Sequence, residues 1–190
     1  MKRIVLFSLV SIMAACGGED KKTEVDKDVP LVQSKNTSAF SESFKSLLTS
    51  YYALKDHLVQ TNDSLATSSA QQVVQAATGL QLKDLKADSS IVAMTKTYVE
   101  TIVAEAQGLV GEKTIEEKRK SFQMISDNMY DLIRTVRYDQ EVVYHQYCPM
   151  AFSDAGAYWL SNTSDIKNPY FGKKMLECGE VKDSLDFRVQ

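Results

Sequence analysis

Proline occurs only 3 times and glycine only 8 times in 190 residues. That scarcity excludes proline-rich and glycine-rich low-complexity chains and leaves few places where a regular element must break. Histidine is limited to His57 and His145, and the sequence contains no Gly-x-Ser-x-Gly, no His-Glu-x-x-His and no glycine-rich phosphate loop. Those are the usual signatures of nucleophilic, metal-hydrolase and nucleotide chemistry, so the chain does not read as an enzyme. A formal charge of −3 provides no basic face to neutralise phosphates, which argues against nucleic acid as a partner. What the chain does have is 44% apolar residues, enough to bury a real core in one domain with accessory segments.

Beyond the N-terminus no stretch is long and apolar enough to span a membrane. Lys2 and Arg3 precede an apolar run from Ile4 to Ile12, and Met13-Ala14-Ala15-Cys16 follows. Residues 1–15 read as a secretory signal peptide. Met13-Ala14-Ala15-Cys16 resembles the bacterial lipobox, in which the cysteine is acylated and becomes the first mature residue, so Cys16 is expected to be a lipid anchor on the outer membrane. Removing residues 1–15 takes away Lys2 and Arg3 and no acid, leaving a more acidic mature chain. Residues 16–37 are polar, charged and without periodicity, the composition of a flexible tether.

From residue 38 the pattern becomes helical. Phe40, Phe44, Leu47, Tyr51, Leu54 and Leu58 recur at steps of four and three, one stripe of a first helix. After Thr61-Asn62-Asp63-Ser64, Ser68 with Gln71 gives a capping-box pattern for a second helix running to about Lys86, its stripe Val73, Ala77 and Leu80. Asp88-Ser89 caps a third, with Val92, Thr95, Val99, Ile102, Ala106 and Leu109 before Gly111; Thr114 with Glu117 opens a fourth, with Phe122, Ile125, Met129, Leu132 and Val136. The expected fold is all-α: an antiparallel up-down-up-down four-helix bundle over residues 38–139, with an irregular extension over 140–190 packed on it. In the extension, the alternation around Val142 to Tyr147 is strand-like until Pro149, and Asn168-Pro169 followed by Gly179 reads as a short helix with Phe171, Met175 and Cys178 on one face.

That extension gathers both remaining cysteines, one of the two histidines and the only tryptophan. Cys148 and Met150 lie two residues apart, Met175 and Cys178 one helical turn apart, and together they offer two thiolates and two thioethers. Soft sulfur ligands of that kind select Cu(I), with His145 as a further candidate ligand. An equally direct reading is a disulfide between Cys148 and Cys178. Setting aside a lipidated Cys16, these two form an even pair in an oxidising compartment, and closing their loop would stabilise the fold by about 3–4 kcal/mol. His57, flanking the first helical stripe, reads as a boundary residue rather than a ligand.

Tyr51-Tyr52-Ala53-Leu54-Lys55-Asp56, Tyr147-Cys148-Pro149-Met150-Ala151-Phe152, Gly156-Ala157-Tyr158-Trp159-Leu160-Ser161, Ile166-Lys167-Asn168-Pro169-Tyr170-Phe171-Gly172 and Met175-Leu176-Glu177-Cys178-Gly179 carry a resemblance. Over residues 40–181 the chain resembles the domain of unknown function family thirty-three forty-seven. The resemblance implies a lipid-anchored or secreted envelope protein, and related domains are fused to periplasmic adaptor subunits of copper- and silver-type efflux systems. It thereby implies an accessory for copper or heavy metals, with Cys148, Met150, Met175 and Cys178 as ligands and an efflux component or another envelope protein as partner. A disulfide-stapled interaction domain without metal stays open beside it.

Overall fold

Short polar side chains set where each long helix begins. In the computed structural model, which describes residues 35–188, the Thr37 hydroxyl accepts the Phe40 N–H at the start of α1 (Ser38–Val59) and the Asn62 side-chain oxygen Oδ1 accepts the Leu65 N–H at the start of α2 (Asp63–Thr78). Asp88 caps α3 (Ser89–Gly111) through the Ile91 N–H, and Thr114 with Glu117 forms a reciprocal capping box at α4 (Ile115–Val136). Each such cap is worth about 1 kcal/mol. The signal peptide, Cys16 and most of the tether lie outside the described residues. The described residues belong to one compact unit.

The expected stripes are the core. Phe40, Phe44, Leu47, Tyr51, Leu54 and Leu58 of α1 and Phe122, Ile125, Met129 and Leu132 of α4 are fully buried, each large side chain contributing roughly 1.5–3 kcal/mol by leaving water. The second helix begins at Asp63 rather than near Ser68, because Asn62 supplies the cap; Ser69, one residue on from that predicted start, faces inward and bonds His57 Nδ1 at 2.7 Å. It also ends at Gly79 instead of running to Lys86, and a 3-10 turn at Leu82–Asp84 leads into α3.

The helices pack in sequence, α1 on α2, α2 on α3 and α3 on α4, but α1 and α4 touch little. Bulky aromatics bridge that gap, Tyr51 stacking on Phe122 with centroids 5.3 Å apart, and the C-terminal segment covers it. This segment corrects the expected all-α fold: it is a three-stranded antiparallel sheet, β1 (Val143–Cys148), β2 (Ala157–Ser161) and β3 (Glu180–Leu185), in the order β2-β1-β3. His145 pairs with Leu160 of β2 and Asp183 of β3, and Tyr147 with Tyr158 and Glu180. The ladder between β1 and β3 shifts register between His145 and Gln146, which leaves Lys182 as an extra, bulged residue.

The expected short helix after Asn168 does not form either. The Asn168 side-chain oxygen Oδ1 does accept the N–H groups of Tyr170 and Phe171, as a cap would, but the chain makes only a 3-10 turn at Gly172–Lys174. Gly172 sits at φ +56, and a Cβ there would lie 2.6 Å from Thr61 Oγ1 and 2.7 Å from the Val59 carbonyl, so the backbone presses directly on the α1–α2 turn. Arg119, buried at the start of α4, donates to the carbonyls of Pro169 at 2.8 Å and Leu58 at 3.2 Å and to Thr61 Oγ1 at 3.2 Å. One guanidinium thus joins the extension, α4 and the α1–α2 turn.

Candidate functional site

The cysteines converge at the end of the sheet. Cys148 is the last residue of β1 and fully buried, and Cys178 lies just before β3, half-exposed. Their Sγ atoms are 3.2 Å apart, in contact and not bonded. The contact with Cys148, followed by burial, raises the Cys178 thiol above its ordinary pKa.

Asn168 aims Cys178. Fully buried, it donates from Nδ2 to the Cys178 carbonyl at 2.7 Å, and its N–H donates to the Leu176 carbonyl at 2.8 Å. Inside the loop so clamped, the Cys178 N–H reaches back to the Met175 carbonyl at 3.1 Å, which puts Met175 and Cys178 in one tight turn rather than on the face of a helix. Gly179 follows at φ +146, and a Cβ on it would come within 2.8 Å of both the Trp159 ring and the Tyr147 carbonyl. Only glycine lets β3 start beside Cys148. The sequence reading named Asn168 and Gly179 as helix cap and helix stop; their positions are important, but what they bracket is a loop that ends in a cysteine.

Of the other candidate ligands, Met175 is half-buried and Met150 lies 45% exposed in the turn after Pro149. After it the chain makes a left-handed turn, with Phe152, Ser153 and Asp154 all at positive φ. His145 is elsewhere. Its ring is stacked between Tyr130, 3.9 Å between centroids, and Tyr158, 4.5 Å away, on the face of β1 opposite to Cys148. Burial holds its pKa down at about 4, with Asp183 opposing. The stack continues from Tyr158 to Tyr147 and is flanked by Arg134 over Tyr130 and Lys182 over Tyr147. Among the described residues no group of three or more His, Cys, Asp or Glu side chains is gathered, so no third side chain of these types stands beside the two cysteines. His57 serves as a link between α1 and α2 through Ser69.

The family model described as a protein of unknown function (DUF3347) matches residues 47–141. The chain belongs to this family. The match runs from the middle of α1 to the residues just before β1, so the family pattern covers the helices, while the sheet and its cysteine pair lie beyond it. No curated protein and no solved structure matches the chain.

Proposed function

We propose that this chain is an envelope-anchored accessory protein, without catalytic activity, whose working part is the Cys148–Cys178 pair acting as a soft-metal site, with Cu(I) as the ion of best fit. The observation that carries the reading is the convergence of two cysteines 30 residues apart onto a 3.2 Å contact, with Cys178 half-exposed and Met175 in its own turn. Two sulfurs each about 2.3 Å from one ion sit about 3.8 Å apart at a tetrahedral angle, so a small rotation of Cys178 accommodates the group. Cys148 and Cys178 would hold the ion as thiolates and Met175 and the exposed Met150 would add thioethers, while His145 lies on the opposite face of β1 from Cys148. Cys16 would carry the lipid that holds the domain at the outer membrane, near an efflux component or another envelope protein, and nucleic acid is not a partner.

The same contact favours a second reading, in which the two thiols close to a disulfide and the domain serves as a stapled interaction module. Thiol titration of the anaerobically purified protein, with and without Cu(I), separates them. The metal reading expects two free thiols that Cu(I) protects, with weaker Cu(I) binding in the double variant Met150→Leu, Met175→Leu at little cost in stability. A complete Cys148–Cys178 bond in protein taken from cells, with no Cu(I) uptake after reduction, would sink it and leave the interaction module. The anchor is tested separately: Cys16→Ser should no longer fractionate with membranes as the mature protein does.

A further inference from the structure

Charge is missing from one helix. Over residues 64–82, which hold α2 and the turn after it, there is no Asp, Glu, Lys or Arg, although 25% of the chain is charged. The other long helices each expose acid and base together, Glu42 with Lys45 on α1, Lys96 with Glu100 on α3 and Glu117 with Lys120 on α4. Helix α2 instead presents Leu65, Ser68, Gln71, Gln72 and Gln75, with Leu65 43% exposed. Loss of ionic side chains is what distinguishes the core of a protein interface from ordinary surface.

A groove runs along each flank of this helix. One, of about 390 Å³, lies between Ser43, Ser46 and Ser50 of α1 and Gln72 and Ala76 of α2; the other, of about 480 Å³, lies between Gln71 and Val74 of α2 and Gln107 and Val110 of α3. Gln75 lines both, so it stands on the ridge between them. Among the described residues no hydrogen bond engages the side-chain amides of Gln71, Gln72 or Gln75, and each amide carries both donors and an acceptor. Such a face is its own complement: amide pairs with amide in both directions, ridge fits groove, and no like charges meet. An ionic partner surface would lose its hydration there and find no counter-charge. We propose that this face docks a second copy of the chain, α2 crossing α2 about a two-fold axis close to Gln75, as an isologous contact. A ridge of 16 residues is about 24 Å long, and a contact about 20 Å wide along it covers roughly 500 Å² on each copy, short of the roughly 800 Å² of a standard interface. The dimer is therefore a weak one, with a dissociation constant of about 10–100 µM.

The test is sedimentation equilibrium of the Cys16→Ser protein in reducing buffer, so that neither a lipid nor a disulfide joins the copies. A reversible monomer–dimer equilibrium is the expected result. Gln75→Lys, at an exposed position, should leave the melting temperature unchanged and weaken association about tenfold or more, because the two-fold sets the new charges against each other. Gln75→Glu should do the same alone. Mixing the two variants should restore association to at least the starting strength, since each lysine then faces a glutamate. A protein that stays monomeric at about 1 mM, well above the expected dissociation constant, would overturn the proposal and leave the face to a different protein or to solvent. Dimerisation unmoved by either substitution, or no recovery on mixing, would overturn it as well by placing the contact elsewhere. Cu(I) protection of the cysteines is read separately, so no outcome here bears on the sulfur pair.

Discussion

The Tyr51 hydroxyl on α1 accepts the backbone N–H of Leu160 on β2 at 2.9 Å, across 109 residues of sequence and at full burial. Its own proton has one destination: Ser126 Oγ lies 2.7 Å away, and the Ser126 hydroxyl already donates to the Phe122 carbonyl. Helix α1, helix α4 and the sheet therefore share one oxygen. Tyr51→Phe keeps the stacking on Phe122 but strands a buried N–H, so it should lower stability by about 1–3 kcal/mol in chemical denaturation, with the fold retained.

Acid sensitivity should have two opposing parts. His145 has its pKa held at about 4 by burial, against 6.5 in the unfolded chain, so the unfolded state binds an extra proton between these values. Its contribution is complete above pH 6.5 and is lost as pH falls towards 4. Asp127 runs the other way: burial, reinforced by Asp131, raises its carboxyl from 3.8 to about 6, and the stability it contributes at low pH disappears as pH rises through 6. Melting curves between pH 4 and 7 should accordingly separate when each group is removed. His145→Phe, which keeps an aromatic ring between Tyr130 and Tyr158, should remove the acid-side loss, and Asp127→Asn should deepen it.

Arg119 makes a sharper prediction than any exposed charge. Arg119→Met leaves the Pro169 carbonyl without its buried donor and takes one of two donors from the Leu58 carbonyl, which keeps the Thr61 N–H, a loss expected at roughly 1–3 kcal/mol. Because those carbonyls belong to the extension and to the α1–α2 turn, hydrogen exchange should rise in residues 168–178 more than in α3. Uniform exchange changes across the domain would contradict this.

Oxidising the reduced protein should raise its melting temperature, since a Cys148–Cys178 bond closes a 30-residue loop, worth about 3–4 kcal/mol in the chain-entropy model. In reducing buffer Cys148→Ser should cost more than Cys178→Ser, because the first hydroxyl is placed at a fully buried position and the second at a half-exposed one. Equal melting temperatures for the two variants would show that the site opens in solution.

The helices were legible because their signals are local. Thr114 and Glu117, or Asp88 and Ile91, are three residues apart, and a stripe such as Phe40 to Leu58 needs only its own periodicity. The sheet was half legible: β1 alternates visibly, whereas β3 is Glu-Val-Lys-Asp-Ser-Leu, exposed at five of six positions and carrying no apolar face to read. Asn168 and Gly179 misled for a physical reason. Asparagine satisfies free N–H groups in a loop just as it does at a helix start, and glycine with positive φ serves a strand entry as well as a helix end. The meeting of Cys148 with Cys178 was among the expected arrangements, but the stack that holds the His145 ring depends on Tyr130 and Tyr158, which no spacing connects to it.

Lys182, the extra residue in β3, has a consequence for how the molecule behaves at high concentration. A regular outer strand would offer an unbroken row of N–H and C=O groups to any passing chain. Here the bulge interrupts that row in the middle, and the ammonium, held by Glu180 at 2.6 Å and poised over Tyr147, brings charge to the break. An incoming strand cannot keep register past it. Straightening the strand by deleting Lys182 would therefore turn a self-limited sheet into one that recruits copies of itself.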